Sequence, residues 1–426
     1  MKPAYKTLPG PNDITRVELR NGITLLVRSN FSSSSVVIKG YLNAGSILDP
    51  DDKLGLANLV AASLTMATKK MGFNDLHNTI ETLGANLSFH AGTLSTSFTC
   101  QCLTEDLSTM MSLFSDILRH PAFPIKQFRR LKAQYLTMLA IMAQDTGEMA
   151  DKAFNEVLFE GHPYERSDDG TPEIVKTISN EDVVDFYSHN FSPEGMVIAI
   201  VGAVTPEDAS KFVEKFLGDW KTLKTPTLIR IPDAFPLTRP ARKHVTIDDK
   251  SQSDVVMGNL APRRTSPDYL ACSLGNNILG QFGMMGRIGN SVREKAGLAY
   301  FAESELTSGV GPGTWACIAG TNPENIEKVI NLIQDEIKHF LDELVSEDEL
   351  DDSKSYMIGR LPLLHQSNSG VAVSLLNLEK FKLGLNYLHQ YPNLIQAISK
   401  EDILSTARKY LSLQSIVIAS AGSAIK

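Results

Sequence analysis

Apolar and polar residues alternate through Ile14–Ser29 ("ITRVELRNGITLLVRS"), and the pattern predicts two strands joined by a hairpin turn at Arg20–Ile23. A third strand is predicted in "SSVVIKGYLNAGS" and a fourth in "SFTCQCL". The second half of the chain opens in the same way, with "ARKHVTIDDK" and "SDVVMGNLA". Between these runs the period lengthens to that of helices. "GLANLVAASLTMATKK" (Gly55–Lys70) places Leu56, Leu59, Val60, Ala61 and Leu64 along one apolar face and reads as one buried helix.

The elements repeat. "SNEDVVDFYSHNFSPEGMVIAIVGAV" (Ser179–Val204) has a counterpart in "SKEDILSTARKYLSLQSIVIASAG" (Ser399–Gly422). Each reads as an N-capped amphipathic helix, a turn, a buried β-branched strand and a glycine, with Ser179 and Ser399 as caps and Asp182 and Asp402 at the third helical position. "FPIKQFRRLKAQYL" is echoed by "VSEDELDDSKSYMIGRL", and "TEDLSTMMSLFSDIL" by "NPENIEKVINLIQDEI". Three pairs in the same order, offset by roughly 220 residues, indicate a duplication. The stretch Lys221–Lys243 between the copies carries four prolines and reads as an extended linker. The expected organisation is an N-terminal domain (residues 1–220), a linker (221–243) and a homologous C-terminal domain (244–426). Strands gathered early and helices in blocks predict an α+β fold, each copy a mixed or mainly antiparallel sheet backed by helices on one face.

With 426 residues and 42% apolar content, the chain can bury two sizeable cores. A net charge of −8 and a pI near 5.7 argue against a nucleic-acid or anionic-membrane surface. No apolar run is long enough for a membrane span, and "MKPAYKTLPGPND" has neither the apolar core of a signal peptide nor an Arg-rich amphipathic stretch. The expected address is the cytoplasm; a mature form with its leader removed would read the same way. Of four cysteines, Cys100 and Cys102 lie two apart on a predicted strand, hence on one face, and read as small core residues with no further ligands at zinc spacing. The nine histidines include no pair at i, i+3 or i, i+4.

Several stretches together resemble the pitrilysin-type (inverted zinc) metallopeptidases of the two-domain bacterial and mitochondrial-processing kind: "NGITLLV", "GYLNAGSILDPDDKLGLANLVAASLTMATKK", "IETLGANLSFHAGTLSTSFTCQCLTEDL", "FEGHPY" and "SVREKAGLAYFAES". The resemblance covers nearly the whole chain and includes the duplication. It implies two homologous domains forming half of a clamshell chamber. Catalytic relatives carry H-x-x-E-H in the helix after "GLA". Here the first histidine position is Asn58, the glutamate base position Ala61 and the second histidine position Ala62. The distal glutamate, about 76 residues later, falls on Met138. Alanine has no donor, methionine offers a soft thioether, and an asparagine amide is a poor zinc ligand. No carboxylate stands where the base would be. The expectation is a degenerate site holding no metal.

What the resemblance implies is retained lies in the second half. Arg293 and Tyr300 match an arginine and a tyrosine, seven residues apart, that grip the substrate carbonyl and steady the oxyanion, facing the zinc across the cavity. The plainer alternative pairs Arg293 with Glu294 and makes Tyr300 an amphipathic strand residue. Upstream, Gly280, Gly283, Gly286 and Gly289 read as a turn ahead of the arginine, without the G-K-[ST] ending of a phosphate loop. The leading expectation is a non-catalytic subunit of a heterodimeric zinc metallopeptidase, with no cofactor on this chain. The partner would be a homologous subunit bringing H-x-x-E-H and zinc, and the substrate a peptide or unfolded protein. The competing expectation is an inert scaffold of the respiratory core-protein kind, or a peptide-holding homodimer.

Overall fold

The structure is a computed structural model and describes residues 8–221 and 229–424. The first half runs β1 (Thr15–Glu18), β2 (Thr24–Ser29), β3 (Ser35–Leu42), α1 (Leu56–Ser63), α2 (Phe73–Thr82), β4 (Asn86–Ala91) and β5 (Thr96–Leu103). It continues through α3 (Leu107–Arg119), α4 (Ile125–Met142), α5 (Thr146–Leu158), α6 (Pro172–Thr177), α7 (Asn180–Asn190), β6 (Val197–Gly202) and α8 (Pro206–Leu217). The second half runs β7 (Ala241–Thr246), β8 (Ser253–Ala261), α9 (Tyr269–Gly280), α10 (Phe282–Gly289), a π-helical turn (Asn290–Lys295), β9 (Ala299–Thr307) and β10 (Gly313–Thr321). Then follow α11 (Ile326–Asp342), α12 (Glu347–Gly359), the short α13 (Leu361–Leu364), α14 (Asn368–Lys380), α15 (Tyr387–Gln396), α16 (Lys400–Tyr410) and β11 (Val417–Gly422).

The first sheet has the order β1-β2-β6-β3-β5-β4 and the second β7-β11-β8-β10-β9. Each contains one parallel pair, β2 with β6 and β7 with β11, and is otherwise antiparallel. The second sheet therefore repeats the first without its β1. The hairpin expected at "RNGI" forms, with Gly22 at φ 88° and its N–H donating to the Leu19 carbonyl. The twin helices α7 and α16 both carry full capping boxes, Ser179 with Asp182 and Ser399 with Asp402. Both lead into six-residue strands, β6 and β11, that are buried throughout.

Contacts divide the chain into two compact units that are not continuous in sequence: residues 1–139, 166–230 and 362–389 in one, and 140–165, 231–361 and 390–426 in the other. Helices α5 and α14 are counterparts in the duplication, and each belongs to the unit built mainly by the opposite half. In the second unit α5 lays Ala150, Ala153, Phe154 and Leu158 on Val256, Ala316, Val417 and Ala419. On the opposite face of that sheet Trp315 meets Phe340 of α11, with ring centroids 6.4 Å apart. In the first unit α3 packs Phe114 on Phe98 of β5, and α14 brings Lys380 to within 5.6 Å of the Tyr41 ring centroid, on the other side of β3. Helices on one face alone were expected. Each sheet also carries one helix on its other face, because fully buried strands need cover on both sides.

Two further expectations change. The helix expected over Gly55–Lys70 is shorter: α1 ends at Ser63, a 3₁₀ turn follows (Leu64–Met66), and Thr68 bridges to Pro121 as a strand would. The glycine-rich turn is helical instead. Gly286, at φ 65°, and Gly280 supply positions where a Cβ would strike the Ile278 carbonyl and Ser304, so α10 can close on α9. Of the proline-rich linker, residues 222–228 lie outside the described residues, 229–240 form no regular element, and β7 begins at Ala241, just after the last proline.

Candidate functional site: a helix sealed by carboxylates

Helix α1 opens without a side-chain cap of its own, from Gly55 at φ 93°. The cap comes from six residues upstream. Asp49, 3% exposed, accepts the Gly55 N–H at Oδ2 and the Ala57 N–H at Oδ1, both at 2.9 Å. Burial pushes the Asp49 carboxyl up to about 7, against the opposing pull of those N–H groups and of Arg166. Arg166 also donates to the Asp49 backbone carbonyl. Gly55 has no room for a side chain, since a Cβ there would stand 2.5 Å from the Asp169 carbonyl oxygen.

The face of α1 expected to be vacant of ligands is occupied by a hydrogen-bond network. Asn58 donates from Nδ2 to the Asp168 carbonyl at 2.9 Å and to Asp169 Oδ1 at 3.2 Å. Tyr135 of α4 donates from its hydroxyl to the same Asp169 Oδ1 at 3.0 Å. Burial, then the Asp169 charge, raise the Tyr135 phenol well above its usual range. Asp168 accepts from Ser46 Oγ and, at 2.7 Å, from Thr93 Oγ1. The segment "RSDDG" (Arg166–Gly170) is thus fastened to α1, to α4 and to the loops flanking β3 and β5.

Of the four positions where the sequence led one to expect a degenerate metal site, Ala61 is 2% exposed, Ala62 half-buried, Asn58 engaged as above, and Met138 37% exposed on α4. These residues do not fit a zinc ion. The amide of Asn58 is committed as a donor, two positions are alanine, and among the described residues no group of three or more His, Cys, Asp or Glu could hold a metal. His90 lies on β4 with its side chain exposed, and His162 is buried, accepting the Tyr164 N–H at Nδ1 and bonded through Nε2 to the Pro232 carbonyl.

Arg293 sits in the π-helical turn and Tyr300 on β9, the edge strand of the second sheet. Arg293 Nε lies 3.7 Å from Glu294 Oε1, and Tyr300 is 68% exposed. Among the described residues no hydrogen bond joins the two; the Arg293 side chain is partly buried and Tyr300 is exposed. Sequence reasoning did not single out Asp49, Tyr135, Arg166, Asp168 or Asp169. The available signal was "DDG", two carboxylates before a glycine, which by itself reads as a surface turn.

Residues 24–168 match the family description "Insulinase (Peptidase family M16)", and residues 177–357 match "Peptidase M16 inactive domain". The chain is similar to the crystal structure of a peptidase M16 inactive domain from Pseudomonas fluorescens, with a TM-score of 0.90 and 25% identity, covering 97% of this chain and 99% of that one. It is 23% identical over 344 residues to an uncharacterized zinc protease of Streptomyces coelicolor, covering 80% of this chain and 75% of that protein. It is also 23% identical over 323 residues to the mitochondrial-processing peptidase subunit beta of Caenorhabditis elegans, covering 74% of this chain and 69% of that subunit.

Proposed function

Because the chain belongs to peptidase family M16, its second half being of that family's inactive type, we propose that it serves as the non-catalytic subunit of a peptide-hydrolysing complex. The observation that carries this reading is the state of α1. The positions of the two histidines and of the base hold Asn58, Ala62 and Ala61, and the Asn58 amide is tied to the Asp168–Asp169 segment. Hydrolytic chemistry would then come from a homologous subunit with an intact H-x-x-E-H and its zinc. This chain would contribute Arg293 and Tyr300, a permanent cation and a neutral donor suited to an oxygen gaining negative charge. The exposure of Tyr300, and the loose pairing of Arg293 with its neighbour Glu294, leave both free to meet a substrate carbonyl.

The test mixes the purified chain with an H-x-x-E-H homologue from the same genome and measures cleavage of an unstructured peptide. The chain alone should hydrolyse nothing and retain no zinc after dialysis, and the mixture should exceed the homologue alone. Arg293→Ala and Tyr300→Phe in this chain should each lower the mixture's kcat/KM by about 10²-fold, the scale of one lost oxyanion donor. Unchanged turnover in both variants would remove the assigned roles. A stable complex without stimulated cleavage would favour the scaffold reading.

A further inference from the structure

The first sheet carries four donors that nothing else in their compact unit answers. Lys39 and Tyr41 are two apart on β3, so both project from the face that α14 partly covers. Lys380, the last residue of α14, brings its Nζ to 5.6 Å from the Tyr41 ring centroid and 6.0 Å from that of Phe381. Thr99 of β5 is the register partner of Lys39 and shares its face. All four side chains are half-buried, and all four lie in the same compact unit. Among the described residues none of the four side chains has a hydrogen-bond or ion-pair partner. The neighbouring carboxylate is committed elsewhere: Glu379 takes both its oxygens to the Arg16 guanidinium, at 2.9 and 2.8 Å.

Burial lowers the Lys380 pKa, and the two ring faces compensate only part of that lost hydration. Burial, then the Glu379 charge, raise the Tyr41 phenol well above its usual range, so it keeps its proton and can donate. Two ammonium groups and two hydroxyls around one spot call for an oxyanion. Beyond Thr99 the face continues over β5 and β4 as exposed Ser97, Gln101, Asn86, Ser88 and His90, with no carboxylate among them. That polar strip gives a chain room to run on past the donors, which suits a residue inside a peptide better than its C-terminus. We propose that Lys39, Lys380, Tyr41 and Thr99 receive the side-chain carboxylate of an aspartate or glutamate within an extended peptide lying on this face. The inference rests on the peptide-handling role proposed above and adds a substrate class to it. Binding is read on this chain alone, so a mixture that fails to cleave would leave it standing.

The test uses a fluorescent, C-terminally amidated peptide of Gly, Ser and Ala with one central Glu, and its Gln counterpart. Anisotropy with the full chain at low salt should show the Glu peptide binding roughly 10-fold tighter or more, the scale of one charge-assisted hydrogen bond. Lys39→Gln and Lys380→Met should each remove most of that preference while leaving the Gln peptide's affinity unchanged. Lys328→Gln, on the exposed side of α11, should leave the preference intact. On the wild-type chain, which requires no variant to fold, salt of about 0.5 M should erase most of the difference by screening. Carbodiimide coupling of the Glu peptide to the wild-type chain, read by mass spectrometry, should join it to Lys39 or Lys380. The proposal is overturned by a chain that binds neither peptide or both equally, by a preference that survives both substitutions, or by coupling confined to other lysines. It is also overturned if the Gln peptide with a free C-terminus binds as tightly as the amidated Glu peptide.

Discussion

At the scale of single residues, Asp169 does most to organise the network over α1. One carboxylate oxygen accepts from Asn58 of α1 and from Tyr135 of α4, joining the two helices. Replacing Asp169 by Ala leaves two half-buried donors without their acceptor. It should lower unfolding free energy by about 1–3 kcal/mol, read from urea denaturation of the full chain. Tyr135→Phe removes only one donor and should cost less. Gly55→Ala forces a side chain into a left-handed backbone and against the Asp169 carbonyl, so it should destabilise by more than the roughly 1 kcal/mol that an ordinary helix-terminal change produces. A Gly55→Ala variant as stable as the parent would show that the Asp168–Asp169 segment can move away from α1.

At the scale of elements, the duplication makes matched experiments possible. Ser179→Ala and Ser399→Ala remove the same capping box from α7 and α16. Each should cost about 1 kcal/mol, and the costs should add because the two capping boxes are built from separate residues. Helix α12 carries a third box, in which Glu349 both closes the Ser346 cap and pairs with Arg287 of α10 at 2.6 and 2.8 Å. Burial alone would raise the Glu349 carboxyl; the Arg287 guanidinium and the Ser346 N–H outweigh it and draw the pKa down to about 2. A carboxylate lowered in the folded state stabilises fully above its unfolded value, near 4.5, and loses that contribution as pH falls towards 2. The acid limb of a stability–pH curve should therefore flatten in Glu349→Gln over that window. An unaltered limb would mean that the Arg287 pair contributes nothing to folding.

At the scale of the molecule, the exchange of α5 and α14 decides what can fold alone. The sheet of each compact unit has one face covered by a helix from the opposite half of the chain. A fragment ending at residue 230 lacks α14 and leaves α5 without the Val256, Ala316 and Val417 surface that buries it. It should bind a hydrophobic dye and unfold without a cooperative transition, while residues 1–230 and 231–426 produced together should recover one. A cooperative melt from the first fragment alone would show that the borrowed helix is dispensable.

Pattern by itself was enough for whatever depends on neighbours along the chain. Alternation placed β1, β2, β3, β5, β7 and β8 and the hairpin at Gly22, cap residues placed the starts of α7 and α16, and the offset between twin segments announced two sheets of one topology. That Asn58, Ala61, Ala62 and Met138 carry no strong zinc donor is also a property of the residues themselves, readable in the sequence. Only the folded chain decided what fills that absence. Asp49, Tyr135 and Asp169 are separated by 86 and 34 positions along the sequence, and no local rule links them. The same holds for α5 and α14, whose amphipathic faces state that they must be covered but not by which sheet. Covering an apolar face or satisfying a buried donor is a requirement imposed locally, whereas its fulfilment depends on which distant surface the chain topology brings alongside.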